Sequence, residues 1–327
     1  MKRQSNIFQH LEERGAKRKR IIVFPESDEK RIIEAVRVIL KRRIAHVVLL
    51  QKGSELEERF SARKDLTIID TGFGIQYAGE LLKLRKKKNP DYNKSQAESD
   101  SIDPLIFSMM LLKNDFANGV IAGSVYTTTE VIRQSISIVG IEKGSKTVSS
   151  FFLHSFPKGH IFSSKVFAFA DCGVIPSPTA EQLSDIALHT SVNFKKLTGL
   201  KPRVAFLSFS TKGSARDEST EKMKEALRIT KHRNKSLIAD GELQFDAAFV
   251  PEVAERKNRN GQIKGDANIF IFPDLNSGNI AYKITERIGG AFATGPILQG
   301  LAKPVMDLSR GCNAEDIINM TRVITNL

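Results

Sequence analysis

Tryptophan is absent from this chain, tyrosine occurs four times and cysteine twice. No uninterrupted apolar stretch is long enough to span a bilayer, which excludes a membrane-spanning protein. The two cysteines, Cys172 and Cys312, lack C-x-x-C spacing, so neither a disulfide framework nor a zinc site is indicated; each reads as a small buried hydrophobe. Met1-Lys2-Arg3-Gln4-Ser5-Asn6 is basic but is not followed by an apolar region or a small-residue cleavage site, and the expected location is the cytoplasm. The six histidines are scattered and form no Ser/His/Asp arrangement. No His or carboxylate cluster has ligand spacing, so no metal is expected. The G-x-x-x-x-G-K-[ST] spacing is also missing, which removes support for nucleoside triphosphate hydrolysis.

What is present is positive charge. The 327 residues carry a formal net charge of +13 and an isoelectric point near 9.7, a balance that attracts nucleic acid, acidic lipid or phosphorylated metabolites. Base stacking needs aromatics among the cations. Lys17-Arg18-Lys19-Arg20 and Arg85-Lys86-Lys87-Lys88 contain none, and they read as solvated helix faces. Neither nucleic acid nor membrane is therefore expected as a partner. The hydrophobic fraction of 41% and charged fraction of 27% are those of a globular protein, and the length suits two domains.

Periodicity alternates strands with helices. Ile21 to Phe24, Ala45 to Leu50, Leu66 to Ile69, Gly119 to Ala122, Val166 to Phe169, Arg203 to Phe209 and Asn268 to Phe272 are short apolar runs bounded by turn or cap residues. An amphipathic helix is expected from about Asp28 to Arg42. Strands covered on both faces by helices make a parallel, doubly wound sheet. Phe152 to Ser164, with Pro157 and Gly159, is the least regular central stretch, and the chain is expected to cross between lobes just before it.

Three loops carry chemistry. Val305 to Leu308 should be a strand leading through Ser309, Arg310 and Gly311 to Asn313, a good N-cap for the apolar helix Ile317 to Ile324. A hydroxyl, a guanidinium and the carboxylate of Asp316 thus meet at a helix start that attracts anions. Asp316 also has an ordinary reading, since acids three residues after a cap suit the helix dipole. Ser208-Phe209-Ser210-Thr211-Lys212-Gly213-Ser214 reads either as a phosphate cradle or as a polar strand-to-helix turn. Pro273-Asp274-Leu275-Asn276-Ser277-Gly278-Asn279 follows another strand and leads to a helical run through Tyr282 and Lys283. Ligands of open α/β sheets lie beyond the carboxyl ends of strands, where these loops fall. Arg133 sits in a helix after Thr127-Thr128-Thr129.

Several segments in order resemble the phosphate acetyltransferase (phosphotransacetylase) family over nearly the whole chain. They are Val23-Phe24-Pro25-Glu26, Phe169-Ala170-Asp171-Cys172, Pro178-Thr179-Ala180-Glu181-Gln182-Leu183, the Leu207 to Ser214 segment and Asp240-Gly241-Glu242-Leu243-Gln244-Phe245-Asp246-Ala247-Ala248. Phe272 to Leu275, Gly278 to Lys283, Gly295-Pro296-Ile297-Leu298-Gln299-Gly300 and the D-L-S-R-G-C segment from Asp307 to Cys312 complete the set. The resemblance implies acetyl transfer between acetyl phosphate and coenzyme A, with acetyl-CoA and phosphate as the other pair. No covalently bound cofactor is implied, and by the same resemblance a homodimer is expected.

It also implies two doubly wound α/β lobes with a cleft between them, similar to isocitrate/isopropylmalate dehydrogenase-like folds. Residues 1–148 with 300–327 would form the first lobe and 149–299 the second. By resemblance Ser309, Arg310 and Asp316 are catalytic, and Arg133 and Arg85 bind phosphate. The loops supply Ser208, Ser210, Thr211, Lys212, Gly213, Asn276, Gly278, Asn279, Tyr282 and Lys283 as substrate contacts. Met306 and Asn118 depart from the family pattern, where Asn and Asp are usual. A butyryl or other acyl phosphate is the alternative substrate, since a methylene or two is a small energetic difference; a non-catalytic anion or nucleic-acid binding protein is the remote one.

The proton is the difficult part of the reaction. Moving it from a thiol near pKa ~8.5 to an aspartate near ~3.9 is uphill by about 6 kcal/mol, and a helix N-terminus weakens the base further. Asp316 is expected to need desolvation, with arginines stabilising the thiolate.

Overall fold

The computed structural model of the chain describes residues 6–53, 56, 59, 60 and 62–327. Two compact units emerge: Phe8–Lys143 joined by Leu301–Leu327 forms the first, and Gly144–Gly300 the body of the second.

In the first unit the elements run α1 (Asn6–Arg18), β1 (Ile21–Phe24), α2 (Lys30–Arg42), β2 (His46–Gln51), β3 (Leu66–Asp70), a 3-10 segment (Thr71–Tyr77), α3 (Ala78–Lys86), α4 (Lys94–Ser101), α5 (Pro104–Lys113), β4 (Gly119–Ala122) and α6 (Thr128–Gln134). A π turn, Ser135–Val139, follows. α2 forms where the sequence puts Ile32, Ile33, Val36, Ile39 and Leu40 on one buried stripe. Glu29 caps its start, and Arg43 closes its end in the left-handed region at φ 56°.

The second unit contains β5 (Ser149–Ser155), β6 (Val166–Ala170), α7 (Ala180–Thr198), β7 (Arg203–Leu207), α8 (Glu218–Arg233), β8 (Ile238–Leu243), α9 (Phe245–Phe249), α10 (Pro251–Lys257), β9 (Ile269–Ile271), α11 (Leu275–Arg287) and β10 (Phe292–Gln299). The chain then returns to the first unit with β11 (Val305–Asp307) and α12 (Ala314–Ile324).

The first sheet has the order β11-β4-β1-β2-β3 and is parallel throughout. β1 and β4 are apolar because helices cover both faces. Asn118, a departure from the family pattern, accepts a hydrogen bond from Ile21 N at 2.9 Å and so pins the start of β1. Met306, the other departure, is fully buried.

The second sheet has the order β10-β5-β6-β9-β7-β8. Its β6-β9-β7-β8 part is parallel, but β5 runs antiparallel to both β10 and β6. An all-parallel sheet is thus corrected to a mixed one. The link from β5 to β6 is too short to hold a crossover helix, so the chain must turn back. Phe152, Phe156, Phe167, Phe169, Phe270 and Phe272 fill this unit's core in place of tryptophan. Phe169 meets Phe270 edge-on at 5.5 Å. Among the described residues no helix is long and apolar enough to cross a membrane.

Candidate active site

β11 and β4 lie side by side, with Asp307 opposite Ala122, and both end at the same edge of the sheet. Beyond them run the 308–313 and 123–127 loops. Leu308 is buried and anchors the first, while Ser309, Arg310 and Gly311 are exposed. Gly311 N donates to Ser309 Oγ at 3.2 Å, and Cys312 N to Ser309 O at 2.9 Å, which makes the turn tight. Asn313 caps α12 in a reciprocal box: Asp316 N donates to Asn313 Oδ1 at 3.1 Å and Asn313 N to Asp316 Oδ2 at 2.9 Å. Asp316 is exposed. Its second carboxylate oxygen has no hydrogen-bond partner among the described residues.

Two buried carboxylates lie beneath this turn. Glu26 accepts from Gly123 N, Ser124 N, Ser124 Oγ, Val125 N and Tyr126 N at 2.5 to 3.2 Å, so one side chain shapes the whole 123–126 loop. Asp307 is 1% exposed; Oδ2 accepts from Thr128 Oγ1 at 2.6 Å, and Oδ1 has no hydrogen-bond partner among the described residues. Burial pushes its pKa up to about 6, the Thr128 bond opposes this, and the charge of Glu26 adds to it. Gly123, at φ +105°, is needed here. A Cβ would lie 2.4 Å from Asp307 Oδ1 and 2.6 Å from Leu308 N.

Arg31 braces both loops. Its Nη1 donates to Arg310 O at 2.8 Å and Cys312 O at 2.9 Å, its Nη2 to Ser124 O at 3.1 Å, and its Nε to Glu29 at 2.9 Å. Cys312 is buried beside it, and desolvation raises the thiol pKa to about 11 despite the guanidinium. A thiolate there is scarce at neutral pH.

Thr127 starts α6 with a capping box to Glu130, and the last turn presents Arg133. Arg133 is exposed, and its guanidinium makes no hydrogen bond or ion pair with the described residues. Arg85 is engaged. It pairs with Asp100, donates to Gln134 Oε1 at 2.8 Å and lies 5.3 Å over the Tyr92 ring. Gln134, the last residue of α6, thus ties Arg85 to the end of the helix that carries Arg133. Thr128, at the other end, is tied to Asp307, which links this helix to the strand that feeds Ser309 and Arg310.

In the second unit the hydroxyl-rich loop surrounds an internal anion. Ser210 Oγ and Gly213 N donate to Glu242 Oε1 at 2.9 and 2.7 Å. Thr211 Oγ1 accepts from Gln244 N at 2.9 Å, and Ser208 Oγ from Ser210 N at 3.3 Å. Lys212, at φ 52°, pairs with Asp240 and donates to Gly241 O at 2.8 Å. On α11, Gly278 permits close packing, since a Cβ would lie 2.4 Å from Asp171 O. Asn279 Nδ2 donates to Cys172 O at 3.2 Å, and Tyr282 stacks on Phe152 at 4.0 Å with Lys283 beside its ring. Asn276 and Lys283 are exposed. Among the described residues no three His, Cys, Asp or Glu side chains cluster as a metal site.

Sequence reasoning missed Glu26, Arg31, Thr128 and Asp307 as parts of this arrangement. Glu26 and Asp307 did carry a signal, since each is an acid at the end of an apolar strand.

Residues 6–325 match the family model described as phosphate acetyl/butaryl transferase. The chain is 42% identical over 325 residues to the phosphate acetyltransferase of Acetivibrio thermocellus, covering 97% of each. A phosphotransacetylase structure from Streptococcus pyogenes is similar with a TM-score of 0.89 and 37% identity, covering 98% of this chain and 97% of that one. A putative 4-hydroxythreonine-4-phosphate dehydrogenase from Salmonella typhimurium, 10% identical with a TM-score of 0.56 and covering 94% and 99%, shares the fold.

Proposed function

Because this chain belongs to the phosphate acetyl/butaryl transferase family and moves an acetyl group between acetyl phosphate and coenzyme A, we propose that it does so by direct attack of the coenzyme A thiolate. Sulfur forms a bond to the acetyl carbon, the carbon–oxygen bond to phosphate breaks, and its electron pair leaves with phosphate. Arg310 and Arg133 hold the phosphate, for which a planar guanidinium fork is suited. Ser309 and Arg310 stabilise the charge that develops on the attacked carbonyl oxygen. Asp316 takes the thiol proton, and coenzyme A itself supplies the desolvation this requires when it covers the turn.

The observation that carries this reading is the exposed Ser309–Arg310 turn, braced from below by Arg31 and Glu26 and followed by Asp316 with one carboxylate oxygen open. The high pKa of the Cys312 thiol supports direct transfer over an acyl-enzyme route. Arg85 joins the phosphate site by giving up Asp100, whereas Ser210, Thr211 and Gly213 spend their polar groups on Glu242 and Gln244. The enzyme is proposed to work in the cytoplasm, and as a homodimer. Ile280, Ile284 and Ile288, exposed along α11 and its C-cap, support the pairing.

The test is thioester formation from coenzyme A and a panel of acyl phosphates. Acetyl phosphate is expected to give the highest kcat/KM; a preference for butyryl phosphate would overturn the acetyl assignment. Light scattering that gives a monomer would remove the homodimer.

A further inference from the structure

Among the described residues the second sheet ends at β8, which pairs with β7, and a cavity of about 780 Å³ opens beside it. Lys212, Lys231, Lys235, Arg256, Lys257 and Arg259 line it, against a single lining carboxylate, Asp240. Two of the cations are matched. Lys212 pairs with Asp240, and Lys257 lies 3.1 Å from Asp246. Lys231 donates to Leu237 O at 2.8 Å and to Gln262, both neutral acceptors. Lys235, Arg256 and Arg259 extend side chains that meet no acceptor among the described residues.

The cavity floor is polar. Asn258 is 2% exposed; its Nδ2 donates to Asp240 Oδ2 and Ile263 O, both at 2.9 Å. Two acceptors on one side fix which amide atom is nitrogen. The Oδ1 then faces no donor among the described residues. Gly261 keeps this floor low, since a Cβ would lie 2.1 Å from Asp240 Oδ2 and 2.2 Å from Asn258 Oδ1.

We propose that this cavity binds a multiply phosphorylated small molecule. Guanidinium forks match phosphate oxygens bidentately, and several uncompensated cations around one concavity suit an anion with more than one phosphoryl group. A polynucleotide fits less well, because the cations surround a cavity of single-molecule size and no aromatic lines it for stacking. Burial pulls the Lys231 ammonium below its usual pKa, Asp240 draws it back and Lys212 lowers it further; an arriving anion would relieve that.

The ligand could be coenzyme A, through its phosphates, or a separate phosphorylated effector. Inorganic pyrophosphate is the probe. Calorimetry and thermal unfolding of the whole protein are expected to show saturable binding that sodium sulfate at equal ionic strength does not reproduce. Affinity should fall at least tenfold in Arg256→Ala/Arg259→Ala, whose side chains hold nothing in the fold. Lys235→Glu should weaken it further if combined. An unchanged KM for coenzyme A in the double variant assigns the cavity to an effector, and a raised KM assigns it to the substrate's phosphates. No pyrophosphate binding, an equal effect of sulfate, or equal affinity in wild type and double variant would overturn the proposal.

Discussion

Asp307→Asn gives a stability change whose size should depend on pH. The folded carboxyl titrates near 6 against an ordinary 3.8, a gap of about two units at 1.36 kcal/mol each, or about 3 kcal/mol. The sign follows from proton counting. Between these values the folded state holds the proton more firmly than the unfolded chain, so stability falls as pH rises from about 4 to about 6, and the full cost is present at pH 7.5. Asparagine cannot ionise, and its carbonyl can still accept from Thr128. The variant should be more stable than wild type by about 2–3 kcal/mol at pH 7.5, allowing about 1 kcal/mol for a poorer hydrogen bond. At pH 4 the advantage should shrink to under about 1 kcal/mol. Urea unfolding of both proteins at the two pH values measures the difference directly. A variant equally destabilised at both would refute the reasoning, because a purely steric loss has no pH dependence.

His154 provides the opposite slope. It is fully buried beside Phe169 with its pKa lowered to about 4 by desolvation, so acid should destabilise the protein by about 3 kcal/mol as pH falls from 6.5 to 4. His154→Phe should flatten that limb in the same unfolding assay. Asp316→Asn is expected to lower kcat about a hundredfold or more while stability changes by less than about 1 kcal/mol, since the cap bond survives; steady-state kinetics beside unfolding separates the two roles. Arg310→Lys should lose at least about tenfold in kcat/KM, because a point charge does not reproduce the fork. Cys312→Ala should keep kcat within about threefold, and wild type incubated with acetyl phosphate alone should show no acetyl adduct by intact mass.

The β11 turn and α12 were legible because their signals are local: a short apolar run, Gly311, and the Asn313 and Asp316 pair three residues apart. β5 and β8 escaped because buried serines and acids interrupt their apolar pattern. Ser150 is satisfied by Asp171, and Asp240 by Lys212 and Asn258, partners that periodicity cannot supply. The same limit hid the bracing of the site. Arg31 reaches Cys312 across 281 positions and Thr128 reaches Asp307 across 179, so the residues meet only once the sheet has formed. The Ser208 to Gly213 loop had two readings in sequence, and its own Glu242 lies where a phosphate reading would put a ligand.

The discontinuous first unit also sets an order of assembly. β11 pairs with β4, and α12 packs on α2, yet on the ribosome both emerge only after the whole Gly144–Gly300 stretch. Until then β4 presents an unpaired edge and α2 an uncovered face, the kind of surface that chaperones hold. The inserted unit can finish folding first. The Ser309–Arg310 turn therefore arrives last, onto a 123–126 loop that Glu26, made early, is already able to shape.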